Sequence, residues 1–179
     1  MMAGPEVRTL LRTSALAVLV CLGVAASGSA EENGSSKSRL AANIWTGLGV
    51  AEAQSSMLPG LKAGLSFGYK LSPQLSLVGL GEYHYWADDE WTFRTLFAGA
   101  GVRYQAVGWL ELTLGAGYVR TWQERDEQRA INGAGLRMLA FVPLLAGFGP
   151  FAELEYSPHW GQPRAFQIAA ATVGISYSF

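Results

Sequence analysis

From residue 40 onward, apolar side chains fall at every second position in this chain. No stretch there is continuously apolar for long enough to make a membrane-crossing helix. Leu61, Ala63, Leu65, Phe67, Tyr69 and Leu71 alternate with Lys62, Gly64, Ser66, Gly68 and Lys70. A period of two puts successive side chains on opposite faces of an extended strand, so this segment has one oily face and one that is not. The pattern returns over 110–118. It returns again at the end, where Ala169, Ala171, Val173, Ile175, Tyr177 and Phe179 stand against Ala170, Thr172, Gly174, Ser176 and Ser178. Weaker versions lie at about 40–50, 75–86, 91–104, 133–146 and 150–157. The spacing predicts an all-β protein of about eight antiparallel strands, each about ten residues long, the length that crosses a bilayer at a tilt.

The non-apolar partners decide which face meets which solvent. They are mostly Gly, Ser and Thr with a few charges, material that cannot build a hydrophobic core but suits a narrow polar lumen. With half of the residues hydrophobic, the oily face therefore points outward. Aromatic residues near the strand ends, Tyr69, Trp91, Tyr104, Trp109, Trp122, Trp160, Tyr177 and Phe179, suit the two interfacial girdles of such a wall.

The connections alternate in length. Residues 72–74, 105–108 and 147–150 read as tight turns; 51–60, 123–131 and 157–165 read as longer loops, and 87–90 as a brief acidic one. The first thirty residues read differently: Arg8 and Arg12 precede an apolar run from Ala15 to Ala26, and Gly28 and Ala30 suit a signal peptidase. Residues 1–30 are expected to be a cleaved export signal, 31–39 a short flexible segment, and 40–179 one transmembrane barrel domain. Cys21, the single cysteine, goes with the signal. Losing Glu6, Arg8 and Arg12 moves the net charge from −1 to about −2, which favours neither nucleic acid nor an acidic membrane surface as partner.

An eight-strand pattern after an export signal, alternating connection lengths, and a last strand ending in Tyr177 and Phe179 resemble the small OmpA/OmpX-type outer-membrane β-barrels. The resemblance covers 40–179 and implies an eight-stranded up-and-down barrel in the outer membrane of a diderm bacterium, with the short turns in the periplasm. It also implies that Val173, Ile175, Tyr177 and Phe179 form the C-terminal signal read by the barrel-insertion machinery. Outer-membrane lipids and lipopolysaccharide are then the surroundings, and the implied role is structural or one of surface interaction, with recognition on the longer loops.

By alternation the lumen receives Lys62, Lys70, Glu82, His84, Arg103, Glu111, Arg137, Glu153 and Glu155. Arg103 and Glu111 flank the turn at 105–108 and are expected to pair across two strands near the periplasmic floor. Near-balanced charges in so small a bore pair into a plug; a tiny pore is the rival. Gly99, Gly101, Gly115, Gly117, Gly133 and Gly135 are expected to permit curvature and make room for larger lumen side chains, since no dinucleotide fingerprint is completed.

No cofactor is indicated. Two separated histidines without cysteine give no zinc-type site, and Asp88, Asp89 and Glu90 lack calcium-loop spacing. A lipid A hydrolase is the enzymatic rival. His159 has Glu155 and Ser157 nearby, but Gly161 stands where that family carries its serine. His159 is therefore expected at a loop or interface, and no enzymatic activity is expected.

Overall fold

The computed structural model describes residues 39–179, apart from 54–55, 125–128, 145–146 and 161–165. The expected signal over 1–30 and all but the last residue of 31–39 lie outside the described residues. Eight strands follow one another: β1 (Leu40–Ala53), β2 (Ser56–Lys70), β3 (Leu75–Ala87), β4 (Thr92–Val107), β5 (Leu110–Glu124), β6 (Arg129–Phe141), β7 (Phe148–Trp160) and β8 (Phe166–Ser178). Each pairs antiparallel with its sequence neighbour, and β8 returns to β1 with Ile44 opposite Tyr177 and Gly47 opposite Gly174, which closes the barrel. Closure leaves no unpaired sheet edge, the condition for a β-structure to lie in hydrocarbon.

The faces follow the alternation. On β8, Val173 and Ile175 are 64% and 61% exposed, whereas Thr172 and Ser176 on either side of them are 3% exposed. Leu48, Leu65, Phe67, Leu114, Leu136 and Leu154 continue the outward apolar band on other strands.

Five expectations about the connections are corrected. Most of 51–60 is strand, with Val50 opposite Pro59 and Ala53 opposite Ser56, so β1 and β2 together take in all of it but 54–55. β5 and β6 claim 123–124 and 129–131, and β7 runs on through Ser157, Pro158 and His159 to Trp160. At the other end, 105–107 belongs to β4 with a bulge between Gln105 and Val107, and 148–150 belongs to β7. Ser, Pro and Gly suggested loops at these places, but Pro is tolerated in a strand where a ladder bond lapses. β6 and β7 pair at Gly133–His159 and Leu136–Tyr156, and no partners join in register at the Pro158 step between them.

The lumen differs from the expected polar bore. Two apolar groups fill it: Trp45, Val78, Leu80, Phe97, Val119, Leu139, Phe141 and Phe151 toward the terminal end, and Ala51, Ala53, Leu58, Trp86, Phe93, Ile131, Phe166, Ile168 and Ala170 toward the other. Trp91, expected in a girdle, packs against the second group and stacks on Phe93. Glycines make the space: a Cβ on Gly64 would overlap the Trp45 indole, and one on Gly135 would meet Arg137 Nη1 at 2.9 Å and Phe97 at 3.0 Å.

Candidate functional site: a charged tier inside the barrel

Between the two apolar groups lies a layer of charge. The inward residues of β3 read Val78, Leu80, Glu82, His84, Trp86, so two ionisable side chains stand between apolar neighbours. Lys62 on β2 is in register with His84, and Arg137 on β6 with Glu155 on β7. In a closed eight-strand ring β2 and β3 face β6 and β7 across the bore, which brings the two pairs together.

Lys62 Nζ contacts three carboxylates: Glu82 Oε2 at 3.1 Å, Glu155 Oε2 at 3.2 Å and, more closely, Glu153 Oε1. Arg137 Nε donates to Glu82 Oε2 at 2.9 Å, its Nη1 donates to Ser157 Oγ at 3.0 Å, and its guanidinium lies 4.2 Å from the centre of the Phe97 ring. Both ring nitrogens of His84 lie 3.1 Å from carboxylate oxygens, Nε2 from Glu82 and Nδ1 from Glu155. Lys62 and Arg137 thus lie among Glu82, Glu153 and Glu155, and all six side chains, His84 included, are buried. Burying so much charge is tolerable only when each charge has partners this close.

The tier also brings together one ligand atom each from Glu82, His84 and Glu155, within 4.8 Å of one another. Alternation put all three in the lumen but did not join them, because they lie on β3 and β7, which meet only across the barrel. Lys62 Nζ already contacts the Glu82 and Glu155 oxygens, so its ammonium takes the place of a cation.

Arg103 forms a separate polar floor. Its Nη1 donates to Asn43 Oδ1 at 2.8 Å and its Nη2 to Ser66 Oγ at 2.6 Å. The expected cross-strand pair with Glu111 is only a diagonal approach of 3.9 Å; Arg103 is in register with Thr113 and Glu111 with Gln105, because β4 extends past the expected turn. Lys70, expected in the lumen, is exposed at the end of β2.

His159 is the other correction. It points into the lumen, 7% exposed, with Nε2 2.8 Å from Thr121 Oγ1, which is in turn 3.0 Å from Thr95 Oγ1. Glu155, Ser157 and His159 share the inward face of β7, so none of them is presented to lipid from the barrel wall. His159 has the parity of Glu153 and Glu155, a signal that extending the strand through Pro158 would have revealed.

At the terminal end, Phe148, Tyr177 and Phe179 form an aromatic group, with ring centres 4.4 Å and 4.5 Å apart in succession, and the Phe179 amide donates to Ala42 O at 2.9 Å. Val173 and Ile175 lie above it on the same outer face.

No protein-family model and no curated protein matches the sequence. Solved structures share its fold. Ail, the attachment invasion locus protein of Yersinia pestis, aligns at 15% identity over 78% of this chain and 97% of its own, with a TM-score of 0.55. Neisserial surface protein A aligns at 14% identity over 79% and 98%, also at 0.55. The N-terminal β-barrel domain of Pseudomonas aeruginosa OprF aligns at 16% identity over 79% and 98%, at 0.51.

Proposed function

We propose that this chain, which has the fold of the small outer-membrane barrels, is an integral outer-membrane protein with a filled lumen and a structural or surface-interaction role. One observation carries the reading: the charged tier around Lys62 lies between two apolar groups, so an ion entering the bore would have to pass Trp45 and Phe97, break a buried ion-pair network, and pass Trp86 and Phe93. An eight-stranded barrel is just wide enough for its side chains to fill. Glu155, Ser157 and His159 stand at strand spacing on the inward face of β7, where they present no triad to lipid. With strand ends absorbing most of the expected loops, surface recognition rests on the outer rim and on the connections at 54–55, 88–91, 125–128 and 161–165.

Planar-bilayer recording is expected to show no steady openings from the purified barrel; sustained large conductance would overturn the filled-lumen reading in favour of a pore. Val173, Ile175, Tyr177 and Phe179 are assigned to assembly through the insertion machinery, with lipid and lipopolysaccharide covering the finished wall. Deleting Phe179 is expected to leave most of the cellular pool unassembled, measured as loss of the band that migrates differently before boiling. A normal folded fraction would remove that assignment.

A further inference from the structure

The outer wall changes character toward the end away from the termini. Outward residues of β5 read Leu112, Leu114, Ala116, Tyr118, Arg120 and Trp122, so a cation follows directly on the apolar band. Arg120 lies four residues before Glu124, the end of β5, or about 13 Å down the strand. That places it below the rim, in the wall itself.

Neighbouring polar side chains on this wall pair with one another. Tyr118 Oη donates to Asn132 Oδ1, Tyr156 Oη donates to Gln167 Oε1 at 2.9 Å, and Arg94 Nη2 lies 3.2 Å from Glu124 Oε2. Arg120 departs from this pattern. It is exposed, its register neighbours are Leu96 and Asn132, and its guanidinium rests 5.3 Å from the centre of the Trp122 ring. An aromatic face orients a guanidinium but satisfies none of its N–H groups. Arg94 is in register with Trp122, which puts the two arginines diagonally across adjacent strands with the indole between them.

We propose that Arg120, held by Trp122 and supported by Arg94, binds a phosphate group of the phosphorylated glycolipid in the outer leaflet. The proposal rests on the outer-membrane reading above. A planar guanidinium matches phosphate oxygens through two parallel hydrogen bonds, and its weak hydration suits the boundary between hydrocarbon and water. The position selects a lipid, because a cation set directly above apolar wall lies at headgroup height, where acyl chains pack on Leu114 and Ala116 while the phosphate reaches Arg120. Glu52, another outward charge among the described residues, lies one residue from the end of β1, where water reaches it.

The test uses the full barrel in phosphatidylcholine nanodiscs containing either diphosphoryl lipid A or the same lipid with its phosphates removed, with bound lipid counted by native mass spectrometry. Wild-type protein is expected to retain the diphosphoryl form, Arg120→Gln about tenfold less, and Arg120→Lys an intermediate amount, because Lys keeps the charge without the planar fork. Heat-modified migration reports that each variant is folded, which separates failure of this site from failure of the barrel reading. Equal retention by wild type and Arg120→Gln, or equal retention of the phosphate-free lipid, would overturn the proposal. So would an unfolding midpoint in detergent that rises as much with inorganic phosphate as with lipid A, since the site would then take a free anion.

Discussion

Lys62→Met is expected to lower the stability of the lipid-embedded barrel by about 3–5 kcal/mol, read from urea titration of Trp fluorescence in vesicles. Methionine keeps much of the side-chain volume but removes the charge that touches Glu82, Glu153 and Glu155 together. Arg137 remains as the permanent cation beside three carboxylates, in a space where all partners are buried. Removing one member of a buried set costs more than the set itself contributes, because the leftover charge has lost its water and gains nothing in return. Adding Glu153→Gln to Lys62→Met removes a carboxylate together with the ammonium that it touches, and is expected to recover a substantial part of the loss. A cost of under about 1 kcal/mol for the single change would mean that water reaches the tier and screens it, as at an exposed pair. The same two variants therefore report on whether the apolar groups seal the bore.

The outer face was legible because its signal is one-dimensional: at Val173, Ile175 and Tyr177 sequence parity alone states the side of the wall. The interior was less so. Phe93 and Phe97 face inward on β4 while Leu96 and Val102 face outward, so both faces are apolar and the alternation that marks a strand loses contrast. Charged lumen residues could be named from parity, and Lys62, Glu82, His84, Arg137, Glu153 and Glu155 do meet. Their partnerships could not be named, because which inward residue of β2 stands opposite which of β7 depends on strand tilt and on pairing across the closed ring. The contacts of Lys62 with Glu153 and Glu155 span 91 and 93 residues of sequence. Local turn chemistry misled at Pro59 and Pro158, where the ladder's tolerance of a missing donor outweighed the loop preference of the residue.

Leu65→Arg is expected to cost about 2–4 kcal/mol in vesicles, and Leu71→Arg about 0–1 kcal/mol. Both side chains are exposed and apolar, but Leu65 lies within the apolar positions between Leu61 and Phe67 of β2, whereas Leu71 is in the turn beyond Tyr69. A guanidinium at Leu65 must carry its charge into hydrocarbon or bend the wall's lipid to reach water; at Leu71 it is already at the interface. A lumen position is no neutral reference here, because Ser66 is fully buried and its Oγ accepts a hydrogen bond from Arg103 Nη2, so a second guanidinium there would meet both a steric and a like-charge barrier. Two exposed positions of unequal depth isolate the bilayer as the variable. The difference between them should shrink when the barrel is folded in micelles, whose thin apolar layer lets the arginine reach water. Equal costs at the two depths in vesicles would place water rather than lipid against Leu65. The apolar exterior would then need a protein partner to cover it.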